Sequence, residues 1–105
     1  MANRRRGEVS AELDGKQWTL CLTLGALAEL ETSFDVSNLS ELADKFSSGT
    51  LSASDLIKIL GAGLRGAGHI LSDEDIRNMQ VENGALGYAK VATELLSATF
   101  ETGSA

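Results

Sequence analysis

Few side chains in this chain could do covalent or acid–base chemistry at neutral pH. There is one histidine, His69, and one cysteine, Cys21. A catalytic triad needs a nucleophile beside its base, and a metal site needs several ligands; His69 follows a glycine run with neither nearby in sequence. It reads as a histidine at an exposed loop or helix end. Cys21 falls on the polar face of an expected strand, with no cationic neighbours to stabilise a thiolate, and so reads as inert. A single cysteine forms no intramolecular disulfide, which fits a reducing compartment. Gly61-Ala62-Gly63-Leu64-Arg65-Gly66 matches G-x-G-x-x-G as a string. A dinucleotide site also requires a strand before the glycines and a helix opening after them; here a helical stripe precedes them. Asp73-Glu74-Asp75 lacks the ligand spacing of a calcium loop and suits the first turn of a helix, where the dipole favours acids. The expectation is a non-enzyme with no catalytic residue, no cofactor and no metal.

The elements that would position these residues begin with a hairpin. Asp14-Gly15 separates two alternating segments, within residues 8–13 and 16–23, and this dipeptide signals a two-residue type I′ turn. Such a turn pairs Leu13 with Lys16, Ala11 with Trp18 and Val9 with Leu20. Trp18, Leu20 and Leu22 then share a face with Val9 and Ala11, while Glu8, Ser10, Glu12, Gln17, Thr19 and Cys21 share the other. A slip of one residue would destroy that separation. Core packing is expected for Trp18. A lone hairpin is marginal in water, so its apolar face needs a cover.

Helical stripes supply the cover. Thr23 is placed to cap a first helix over 24–34, carrying Leu27, Leu30 and Phe34. A second, over 39–47, starts at Ser37 or Asn38, with Glu41 at capping-box spacing from Asn38, and stops at Gly49. Ser52 and Asp55 open a third over 53–67, with Leu56, Ile57, Leu60 and Leu64 on its stripe. Ser72 caps a fourth over 73–80. The fifth runs over 84–100 with Leu86, Ala89, Ala92, Leu96 and Phe100. The predicted fold class is α+β: an N-terminal β-hairpin packed on a small bundle of about five helices. Residues 1–6 are expected to be a disordered basic N-terminus, 7–100 one domain, and 101–105 a frayed end.

Bulk properties narrow the partners. The chain has 105 residues, 43% hydrophobic but only 5% aromatic, so its core must be aliphatic. The absence of proline favours helices. A net charge of −6 repels nucleic-acid phosphates and anionic lipid over most of the surface. Arg4-Arg5-Arg6 alone makes no specific reader of nucleic acid without a framework to hold it. No run of about 18 apolar residues is present, and the basic start is followed by Gly7-Glu8-Val9-Ser10 rather than an apolar signal region. A cytoplasmic protein is expected, with no small-molecule substrate, no specific nucleic acid and no membrane. What remains is an amphipathic scaffold with a free strand edge and more apolar residues than narrow stripes require. Ile59 stands off the main face of the third helix, Tyr88, Val91 and Leu95 widen the fifth, and Gly63 and Gly66 suggest a close backbone neighbour. These six, Ile59, Gly63, Gly66, Tyr88, Val91 and Leu95, are the candidate protein-binding residues.

The segments Gly7-Glu8-Val9, Leu13-Asp14-Gly15-Lys16, Leu20 to Glu31 and Leu60 to Gly68 together resemble a small protein family of gene transfer agents and related tailed phages. Gene transfer agents are phage-like particles encoded by bacteria. The resemblance covers about residues 7–100 and includes no catalytic motif. It implies a gene among tail genes, near that of the tape measure protein; the family is described both as a tail tube protein and as a tail assembly chaperone. One hairpin and mostly helix suit a chaperone better than a tube wall. The expected function is therefore a tail assembly chaperone binding the tape measure protein, with the tail tube protein as a second candidate partner and a structural tail tube component as the alternative function. Self-association is left open.

Overall fold

Asp-Gly between two alternating segments folds as its chemistry demands. In the computed structural model, which describes residues 7–47, 50–79 and 85–100, strand β1 spans Glu8–Leu13 and strand β2 spans Lys16–Cys21. Asp14 (φ 54°) and Gly15 (φ 78°) are both left-handed, as a type I′ turn requires. The antiparallel register pairs Leu13 with Lys16, Ala11 with Trp18 and Val9 with Leu20, as expected. Val9, Ala11, Leu13 and Leu20 are buried on one face, and Ser10, Glu12 and Gln17 are exposed on the other. Trp18 is half-buried, and its Nε1–H donates to the Leu13 carbonyl at 2.9 Å. Strand β2 stops two residues short of Thr23. Thr23 leaves the ladder to cap the next helix, its side chain accepting from the Ala26 N–H at 3.1 Å.

Five helices follow: α1 Leu24–Ser33, α2 Leu39–Ser47, α3 Ala53–Gly66, α4 Asp73–Arg77 and α5 Ala85–Phe100. Ser52 with Asp55, and Ser72 with Asp75, form complete capping boxes that fix the starts of α3 and α4. At α2 the arrangement is looser. Asn38 accepts from the Glu41 N–H at 2.9 Å, but Glu41 reaches back to the Ser37 N–H at 2.7 Å rather than to that of Asn38. Helix α4 is shorter than its sequence suggests and ends at Arg77, with Asn78 as its cap. The expected stop of α2 at Gly49, the start of the fifth helix at Gly84, the basic arm of residues 1–6 and the end at 101–105 lie outside the described residues.

Helix α3 is the centre of the molecule. Its residues Ile59, Leu60, Gly61, Ala62, Gly63 and Leu64 are six consecutive buried positions. A helix buried all round must be surrounded, and α3 packs against β2, α1, α4 and α5. Leu13 and Leu20 of the hairpin, Leu30 of α1, Leu42 of α2 and Leu95 of α5 are the other fully buried large side chains. Each such side chain contributes about 1.5–3 kcal/mol of burial energy. The covering layer over the hairpin is therefore α3 beside β2 and α5 beside β1, with α1 and α4 flanking α3.

The glycine run of α3 serves this packing. A Cβ on Gly66 would overlap the backbone carbonyl oxygen of Cys21, so β2 crosses α3 in backbone contact there. One on Gly63 would stand 2.6 Å from Leu95 Cδ2 and 3.3 Å from Leu20 Cβ. The close backbone approach suggested by the number of glycines is real, and the neighbour lies within the chain.

Candidate protein-binding surface

The end of α3 is locked by a local network. Gly68 is left-handed (φ 101°), its N–H donates to the Arg65 carbonyl at 3.0 Å, and the His69 N–H donates to the Leu64 carbonyl at 3.0 Å. This is a complete Schellman ending. It carries His69 onto Trp18, edge to face, with ring centroids 4.9 Å apart. His69 is thus at a helix end, as its sequence position suggests, but half-buried rather than exposed. Its Nε2 is buried and has no hydrogen-bond partner among the described residues.

Arg65 ties three elements together. Its guanidinium donates to Glu29 on α1, to Asp73 at 3.0 Å at the start of α4, and to the Leu71 carbonyl at 2.9 Å. Burial works against its charge, but the hydrogen bonds and charges of Glu29 and Asp73 outweigh burial and raise its pKa above the ordinary arginine value. Asp73 therefore serves an ion pair, Asp75 a capping box, and Glu74 lies 3.9 Å from Arg77. All three acids are used locally, and Arg65 itself went unremarked in the sequence. The signal available was a basic residue in the last turn of a helix, where the dipole favours it.

The six candidate binding residues separate in the fold. Ile59 and Leu95 are wholly inaccessible, and Gly63 is buried with them in the core. The expectation that Ile59 stands off the main face is corrected: α3 is covered on every side, so it has no outward face at that level. Gly66 is occupied by the Cys21 carbonyl. Tyr88 and Val91 are half-buried, packed against the core at the groove between α5 and β1.

Other residues supply the accessible apolar surface. Leu24, Ile70 and Leu86 are 79%, 99% and 85% exposed. A groove of about 240 Å³ between α2 and α5 is lined by Ala43, Phe46, Leu96 and Phe100. A second, of about 170 Å³, opens among α3, α4 and α5 beside Ile57, Ile76, Met79 and Tyr88. A third, of about 250 Å³, separates β1 from α5. Such recesses accept side chains or an extended backbone from a partner. Among the described residues no three His, Cys, Asp or Glu side chains are grouped to hold a metal ion. No described helix is long and apolar enough to cross a membrane.

In comparison with known families, residues 6–102 fit the family described as phage tail tube protein, GTA-gp10. No curated protein and no solved structure matches the chain.

Proposed function

The chain belongs to the family described as phage tail tube protein, GTA-gp10, and from that membership we propose that it is a non-enzymatic structural component of the tail of a phage-like particle, assembled in the bacterial cytoplasm. The single observation that carries this reading is the extent of the family match, which takes in both strands and all five helices. The chain works by protein–protein contact: its β1 edge at Ser10 and Glu12, its apolar grooves and exposed Leu24, Ile70 and Leu86 are contact surfaces. The polar groups that could do chemistry are absorbed by the fold, as Arg65, Asp73 and Asp75 illustrate.

This order reverses the one suggested by composition and element count, which placed the assembly chaperone first and the tube component second. The family description favours the tube component. One observation still favours a chaperone that binds the tape measure protein: the described sheet has only two strands, a small β surface for a continuous tube wall. Copy number separates the two readings. Quantitative mass spectrometry of purified particles should find a structural component in fixed stoichiometry with the major tail proteins. A chaperone would be required for tails and missing from the finished particle.

A further inference from the structure

The edge of β1 is an open main-chain surface beside an overhanging helix. The two-residue turn makes Leu13–Lys16 a hydrogen-bonded pair, so the ladder alternates and the main-chain groups of Glu8, Ser10 and Glu12 point away from β2. Among the described residues no further strand lies beside them, and Ser10 and Glu12 make no main-chain hydrogen bond beyond the hairpin. Nature usually blunts such an edge with a proline or a bulge. This chain has no proline, and the register runs unbroken from Glu8 to Leu13. Helix α5 packs beside β1 and leaves the groove of about 250 Å³, walled by Ser10 and Glu12 on one side and Gly87, Lys90, Val91 and Glu94 on the other. Gly87 contributes no side chain and Val91 a short apolar one, so a strand laid on β1 would find room and an apolar floor for its inward residues.

The charge around the groove selects the occupant. Among the residues lining the groove, Glu12 and Glu94 stand against one cation, Lys90, and residues 7–105 carry six basic and fifteen acidic side chains, a formal charge of −9. A second copy is a poor fit. Antiparallel pairing of β1 with its own copy would set Glu8 and Glu12 against each other, and at the β2 edge the Cys21 carbonyl is already covered by Gly66 of α3.

We propose that the β1 edge, roofed by α5, is a strand-addition site for an extended segment of another protein in which small apolar residues alternate with lysine or arginine. The proposal deepens the tail-component reading by giving the chemistry of one contact, and rests on that reading only for the partner being a tail protein. Main-chain hydrogen bonds to Ser10 and Glu12 provide affinity. Glu12 and Glu94 provide selection for cationic side chains.

The test uses the full chain, isotope-labelled, and an eight-residue peptide of alternating lysine and valine, with a glutamate–valine peptide as control. In the free protein the Ser10 and Glu12 amides should exchange rapidly with solvent. The lysine peptide should protect them and shift the resonances of Gly87 and Val91. Glu12→Lys combined with Glu94→Lys should weaken binding by about tenfold or more. Ser10→Pro should weaken it similarly while leaving the thermal melt near that of the parent, because the Ser10 N–H takes no part in the hairpin ladder. Four results would each overturn the proposal: protected Ser10 and Glu12 amides in the free chain, self-association through β1, equal binding of the two peptides, or no lysine-peptide binding at millimolar concentration. None of these bears on particle copy number, so the contact and the tail-component reading can fail separately.

Discussion

Replacing Gly66 with alanine puts the packing of α3 to a sharp test. Alanine is the better helix former by about 1 kcal/mol, so propensity alone predicts stabilisation. The structure predicts the opposite sign. The new methyl would overlap the Cys21 carbonyl oxygen and lie 3.2 Å from its carbon and 3.4 Å from Ala26 Cβ. The two closest atoms are backbone, so no rotamer change relieves the overlap, and β2 must move off α3 by on the order of 1 Å. Overpacking of this kind costs about 1–3 kcal/mol, to which loosened contacts of Leu20 and Leu64, both wholly buried, add about 1 kcal/mol. Net of the propensity gain, destabilisation by about 1–3 kcal/mol is expected, lowering Tm by roughly 4–20 °C in a domain of this size. Gly25→Ala in α1 is the control, because its Cβ would meet only Thr23 Oγ1, at an ordinary 3.9 Å. That variant should gain up to about 1 kcal/mol. Gly63→Ala should fall between them, since its nearest obstacle is the end of the Leu95 side chain. Thermal and urea unfolding followed by circular dichroism, with Trp18 as the single tryptophan reporter, measures all three. A Gly66→Ala protein as stable as the parent would refute the backbone contact between α3 and β2.

Ile59→Asp should abolish folding, because the side chain is wholly buried in the core, whereas Val91→Asp should cost about 1 kcal/mol and keep the fold; circular dichroism of the purified variants distinguishes them. Arg65→Ala should cost about 1–2 kcal/mol, a charged hydrogen-bond value discounted for partners that are 41% and 45% exposed. Because the folded-state pKa of Arg65 is raised, its contribution is present below the ordinary arginine value and is lost only as pH rises through the higher folded value. The difference between parent and Arg65→Ala melts should therefore stay constant from pH 6 to pH 10 as far as Arg65 itself is concerned. Trp18→Phe should lose the 2.9 Å bond to the Leu13 carbonyl and cost about 1 kcal/mol in urea unfolding.

The hairpin was legible because two independent signals agreed. Asp14-Gly15 set the turn, and only one register placed every apolar residue on one face. Helix starts were legible where a cap was complete, at Thr23, Ser52 and Ser72, and looser at Asn38, where Glu41 takes the Ser37 N–H instead. The binding candidates fared differently, for a physical reason. A stripe analysis assumes that a helix has one buried face, so Ile59 reads as outward. Small residues at Gly61, Ala62 and Gly63 are what let α3 be enclosed on all sides, and that consequence becomes visible only once its neighbours are placed. Arg65 was illegible because its partners, 36 residues before it and 8 after it, meet it only through folding.

The central claim is that this chain is a built-in part of a phage-like tail. Quantitative mass spectrometry of purified particles tests it most directly, with the major tail proteins as internal standards. This chain should be present in the particle at a fixed copy number comparable to a principal tail subunit. Its absence from particles whose tails nevertheless fail to form without its gene would contradict the account and establish an assembly factor instead.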